Sequence, residues 1–213
     1  MPSVAYTTFK KNVKQVDKLL LAFKEMRPPT RGRKHLDHFT RAALIFLCSS
    51  WEVYVEQIAL ESGKIISGRI NNPNNLPLVV KKTLSDIVKK STHELEPINI
   101  SKDWKTYYYE QIYKYISKLN TPKNDKVTEL LNKYLGISGD VIKAKVTLLP
   151  QINKIVQTRG EIAHNIYAEE YLKKELVDEY YDIIKRVVKQ MELLLWDYIP
   201  QITNDKRPWQ NTY

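Results

Sequence analysis

The chain has 213 residues, 43% of them hydrophobic, with 34 Lys+Arg against 24 Asp+Glu and a formal charge of +10. That length points to one domain with a sizeable core, and six glycines are too few for a turn-rich β fold. The single cysteine, Cys48, excludes an internal disulfide and fits a reducing compartment; its apolar setting "AALIFLCSSW" suggests a buried, inert thiol.

Phe9, Val13, Val16, Leu20 and Phe23 step by four and three, which marks one face of a first helix. "RPPTRGRK" breaks it, because Pro28 and Pro29 cannot continue a helix, and the break is strongly basic. A second helix is predicted from about Asp37 to Ile66. Its middle, "AALIFLCSSWEVYVEQIAL", is apolar on most faces and belongs at the centre of the fold. "GRINNPNNLP" ends it with turn residues.

A third helix follows around "LVVKKTLSDIVKK", and "STHELEPINI" reads as a loop. "DWKTYYYEQIYKYISKL" predicts a fourth helix, with Trp104, Tyr108, Ile112 and Tyr115 on one stripe. "KVTELLNKYLG" predicts a short fifth helix ending at Gly136. Pro150 opens the next helix, whose buried stripe is marked by Ile152, Val156 and Ala163. In the long last helix Leu176, Tyr180, Ile183, Val187, Leu194 and Tyr198 keep a near-heptad spacing. Such a seam can pack inside a bundle or against a second copy of the chain. The tail "NDKRPWQNTY" reads as loosely held, with Trp209 able to dock.

No strand pattern rivals the helical one, so the fold class is all-α, a bundle with long central and C-terminal helices. Residues 70–146 read as a helical insertion between two longer helical hairpins. No apolar stretch reads as long enough to span a bilayer, and "MPSVAYTTFKKN" lacks the apolar middle of a signal peptide. The expected location is cytoplasmic, with no membrane partner. The basic excess favours a polyanionic partner, of which nucleic acid is the commonest.

The chemistry-bearing stretch is "RGEIAHN", residues 159–165. Arg159 continues the stripe of Ile152 and Val156, so a guanidinium sits on an otherwise apolar face. Burying it unpaired is costly, so an anion must meet it: Glu52 or Glu56 of the central helix, or a ligand phosphate that its planar fork suits. His164 lies five residues on, about 140° around an ideal helix at ~100° per residue. The two positions converge only if the helix ends or distorts between them, for which Gly160 is a weak point, or if a second chain supplies one. Two structural readings fit as well. His164 and Asn165 could terminate a helix, or "TRGE" could form a capping box with Thr158 as N-cap and Glu161 reaching back.

Around this motif, "NKIVQTRGEIAHN" resembles the signature of HEPN domains, in which R-x4-6-H ends the penultimate core helix. "SSWEVYVEQIALE" is similar to the central helix of the RiboL-PSP branch of that family. The resemblance covers roughly residues 36–66 and 147–198, within a single HEPN-like domain over 1–213. Many active members carry a polar residue directly after the arginine, and here that position is Gly160.

The resemblance implies metal-independent cleavage of single-stranded RNA by homodimers, without a cofactor, in a toxin–antitoxin or defence setting. A toxin of this kind would need an antitoxin or regulatory protein. Arg159 would stabilise charge on the phosphoryl oxygens, and His164 would move the proton of the 2′-hydroxyl or the leaving 5′-oxygen. Asn165 would orient the histidine or bind phosphate. Arg31, Arg33 and Lys34 in the basic break are the expected RNA-phosphate contacts. The tyrosines of "YYYEQIYKY" could stack bases or fill core. His35, His38, His93, His164 and Cys48 show no convincing zinc spacing, so no metal is expected. There is no Walker loop, no G-x-G-x-x-G and no nucleophile elbow. The alternative is a non-catalytic helical module that binds RNA or protein.

Overall fold

The computed structural model describes residues 2–26, 36–92, 94–164 and 172–210, apart from the side chains of Ser101, Lys102 and His164. Among these residues the fold is all-α: α1 Val4–Met26, α2 Asp37–Arg69, α3 Leu78–Lys90, α4 Glu96–Lys102, α5 Trp104–Ile116, α6 Asn124–Leu135, α7 Gly139–Lys145, α8 Ile152–His164 and α9 Lys174–Thr203. Arg31, Arg33, Lys34, His35, His93 and Asn165 lie outside the described residues.

The expected stripe of α1 is its buried face, with Ala5, Phe9, Val13, Val16, Leu20 and Phe23 all packed inward. Ser3 caps the helix, its hydroxyl accepting the Tyr6 N–H (2.9 Å). Glu61 of α2 accepts the next orphan donors, the N–H groups of Val4 and Ala5, each at 3.0 Å. The start of α1 thus meets the end of α2, which makes the pair an antiparallel hairpin.

α2 is the hub, packed by α1, α5, α6, α8 and α9. By length and composition it is apolar enough to cross a membrane, which corrects the sequence expectation. In this fold Leu44, Leu47, Trp51, Tyr54 and Ile58 are fully buried against the surrounding helices. The near-heptad seam of α9 is also consumed within the chain: Tyr180, Ile183, Val187 and Leu194 are buried.

The middle region carries two helices that the sequence did not announce. "STHELEPINI" is not all loop, because α4 starts at Glu96 with Pro97 in its first turn. α7 spans seven residues, Gly139–Lys145, and is capped by the Ser138 hydroxyl accepting from Val141 N–H. α6 ends as expected at Gly136, whose φ of 80° lets its N–H reach Asn132 O and the Ile137 N–H reach Leu131 O. A Cβ at Gly136 would also collide with Pro77.

The tail is pinned rather than loose. Trp209 is buried, its carbonyl accepts the Trp196 indole N–H (2.8 Å), and the Arg207 guanidinium stacks 3.8 Å from the Trp196 ring centre. Arg69 pairs with Asp205 at 3.2 Å. The buried residues form one continuous cluster from Ala5 to Trp209.

Candidate active site

α8 is seated by Ile152 and Ile155, both fully buried against the core. Val156 is half-buried and Ala163 is exposed, so the buried stripe is narrower than expected, although Ile162 within the motif still packs half-buried against the core. The first turn of α8 is tied to α6 by Asn153 Oδ1, which accepts the Asn124 N–H (2.8 Å). Further along, the Thr158 and Tyr180 hydroxyls lie 3.2 Å apart and join α8 to α9. Thr158 is a mid-helix residue whose hydroxyl donates to Lys154 O (3.0 Å), which removes the capping-box reading. Glu161 instead accepts from the Gln157 amide (3.0 Å).

Arg159 is half-buried on α8. Its Nε is out of solvent and has no hydrogen-bond partner among the described residues. No ion pair among the described residues includes Arg159, Glu52 or Glu56. Neither carboxylate therefore closes on the guanidinium. Glu52 accepts the Thr121 hydroxyl (3.1 Å), from a turn where Thr121 has φ 41°. The next carbonyl of that turn, Pro122 O, accepts the Trp51 indole N–H (2.9 Å). The turn after α5 is thus fastened to α2 beside the motif helix.

Electrostatics place Arg159, Cys48 and Glu52 in one neighbourhood. Burial pushes the Cys48 thiol up to about 12; the Arg159 guanidinium opposes that rise and Glu52 adds to it. Cys48 is the buried, inert thiol expected. Glu56, one turn beyond Glu52, is held above the usual carboxylate range by burial first and by the Glu52 charge second.

His164 is the last residue of α8. The helix runs unbroken through Gly160, so positions 159 and 164 stay about 140° apart around its axis. The local distortion that would bring them together in one chain is not present. A Cβ at Gly160 would meet nothing within 4 Å, so neither packing nor backbone requires glycine there. Beyond the segment 165–171 the chain returns to the same region, where the Thr40 hydroxyl of α2 donates to Leu172 O (2.9 Å).

The tyrosines of α5 divide between core and surface: Tyr107 and Tyr108 are buried, Tyr109 and Tyr115 half-buried, and Tyr113 is exposed. Two contacts escaped the sequence argument, the Glu52–Thr121 pair and the Thr158–Tyr180 pair. The second had a faint signal, since Tyr180 already stood on the inward seam of α9.

An R-x4-H motif closing the penultimate long helix of an all-α bundle, packed on a buried central helix, is the arrangement of a HEPN-class domain. The chain belongs to the RiboL-PSP-HEPN family, whose family model matches residues 9–197. That span runs through residues 70–146 as well as through nearly all of the two segments that carried the resemblance. The HEPN family includes ribonucleases. No curated protein and no solved structure matches the chain significantly.

Proposed function

We propose that this protein is a metal-independent endoribonuclease of the HEPN type that cuts single-stranded RNA. The observation that carries the reading is Arg159. Its Nε is withdrawn from water yet answered by no acceptor among the described residues, while Glu52 of α2, in the same neighbourhood around Cys48, does not close on it. A guanidinium left in that state suits an anion that arrives from outside, and its planar fork matches a phosphodiester.

In the proposed reaction the RNA 2′-hydroxyl attacks the adjacent phosphorus. Its proton leaves to a neutral imidazole, the P–O5′ bond breaks, and the 5′-oxygen is protonated. The products are a 2′,3′-cyclic phosphate and a 5′-hydroxyl. Arg159 stabilises the charge that gathers on the phosphoryl oxygens, His164 moves the proton, and Asn165 orients the histidine or the phosphate. Arg31, Arg33 and Lys34 guide the backbone. The unbroken α8 favours a homodimer, in which one chain's arginine works beside its partner's histidine. A toxin or defence role follows from this activity and calls for an antitoxin or regulatory protein in the cytoplasm.

The test is a gel assay of a mixed-sequence single-stranded RNA in EDTA, with the parent protein beside folded Arg159→Ala and His164→Ala variants. Cleavage by the parent alone, leaving cyclic-phosphate ends, is the expected result. RNA binding that survives His164→Ala, with no cleavage by either protein, would instead favour a non-catalytic binding module. Gly160 is the feature that supports this second reading. A strict monomer at micromolar concentration would sink the two-chain site.

A further inference from the structure

The middle of the chain carries a groove of about 480 Å³, bounded by α3, by the turn before it and by the α4–α5 junction. That size suits a small ligand or a nucleotide unit, since such sites run roughly 300–1,000 Å³. One wall is a line along α3, where Lys81, Ser85 and Lys89 follow one another at four-residue steps. Four residues advance about 6 Å along a helix. The Lys81 ammonium donates to Asn74 O (2.8 Å), which holds it at the wall, and Lys89 is exposed. The floor and the facing wall are apolar, formed mainly by Leu84, Val88 and Trp104. Trp104 is half-buried, and the Lys105 ammonium lies 5.7 Å from its ring centre. No carboxylate lines the groove among the described residues, and none of its lining belongs to α2, α8 or α9.

A purely apolar occupant would leave two ammonium groups beside a desolvated surface with no counter-charge. A simple anion would leave Trp104 and its aliphatic neighbours uncovered. An occupant that answers both walls carries flat rings on one side and anions repeating every ~6 Å on the other, in step with the helical spacing. Sites for unpaired nucleic acid combine a cationic track with an aromatic platform in this way. We infer that the groove binds a short stretch of single-stranded RNA, with a base stacked on Trp104 and phosphates held along Lys81, Ser85 and Lys89. The inference rests on the RNA reading of the protein, and it gives the insertion a role: gripping substrate away from Arg159.

The probe is a fluorescein-labelled 2′-O-methyl oligouridylate 12-mer. It lacks the nucleophilic hydroxyl and cannot be cut, and its binding is read by anisotropy. The Lys81→Glu/Lys89→Glu double variant is expected to raise Kd at least tenfold and to flatten the salt dependence by about two phosphate contacts. Trp104→Leu is expected to weaken binding about fivefold or more, and Trp104→Phe to restore most of it. Thermal melts identify any variant that fails to fold, and Lys89→Glu alone, at an exposed position, tests the cationic track without touching the core and is expected to weaken binding.

Parent-like affinity in the folded variants overturns the groove. So does a groove that ignores the oligonucleotide but binds a Leu/Glu amphipathic peptide in a Lys89-dependent manner. Cleavage of the dinucleotide uridylyl-adenosine separates the two readings. If cleavage depends on Arg159 and His164 while groove variants bind normally, the nuclease stands and the groove falls. If binding depends on the groove and no RNA is ever cut, the groove stands and the nuclease falls.

Discussion

Two ionisable side chains drawn into the same bundle are treated in opposite ways. Glu192 on α9 is fully buried, and its Oε1 accepts the hydroxyls of Ser3 (2.7 Å) and Tyr54 (3.0 Å). Arg159 on α8 is half-buried and its Nε has no acceptor among the described residues. Residues far apart in sequence thus bring two donors to Glu192 of α9, while on the neighbouring α8 the Arg159 Nε finds no acceptor among the described residues. A buried polar group answered from within is part of the scaffold. Arg159 Nε is one of several buried side-chain atoms left unanswered among the described residues, Gln57 Oε1 and Ser62 Oγ being others, and under the proposed function it is the one that an incoming phosphate would meet.

The sharpest way to break this contrast is Arg159→Ala. Cleavage should fall by roughly two to three orders of magnitude, the usual loss for a removed oxyanion donor, while the melting temperature holds or rises. Undiminished single-turnover cleavage would show that the guanidinium is idle. Glu192→Ala should do the reverse. It strands two buried hydroxyls and opens a cavity, at about 3 kcal/mol of stability, with little direct effect on chemistry per folded molecule. Urea unfolding checks this, and an unchanged midpoint would remove Glu192 from the scaffold.

Cys48 probes the boundary between the two regions. Its thiol is pushed up to about 12, so iodoacetamide at pH 8 should label the unfolded chain and spare the native one. An unfolded thiol ionises near pH 8.5. The native thiol keeps its proton above that, so this group favours the fold below about pH 8.5. That contribution fades as the pH climbs toward 12. Rapid native labelling at pH 8 would show that the floor beneath Arg159 is open. The smallest effect belongs to Gly160→Ala. With open space at the Cβ position, it should stabilise the protein by about 0.5–1 kcal/mol through helix propensity alone. A loss would mean that something outside the described residues occupies that space.

Much of the fold was legible because its signals are local. The bounds of α3, Leu78–Lys90, match the stretch "LVVKKTLSDIVKK", and the end of α6 was written in Gly136. α4 and α7 were missed because seven residues are too few to display a helical period. Docking of Trp209 was legible, but the rest of the described tail was read as loose because its ties to Trp196 and Asp197 of α9, and to the distant Arg69, are side-chain contacts that carry no local pattern. At the site, the angular separation of Arg159 and His164 could be read from helix geometry, whereas the expected closure of Glu52 or Glu56 on Arg159 is not made among the described residues. The turn that takes up Glu52 could not be read, since Thr121 lies 69 residues away in sequence. Ala163 looked buried by extrapolating the stripe, but it is exposed, while its neighbour Ile162 is the residue that packs on the core.

The Ser3–Glu192 contact closes a loop of 189 residues. On a chain being synthesised, that closure waits until Glu192, well into α9, has emerged. The motif at the end of α8 is made earlier, but the Tyr180 hydroxyl that meets Thr158 and the carboxylate that ties α9 to α1 come later. A nascent chain therefore carries "RGEIAHN" for some time before it has the architecture that seats it.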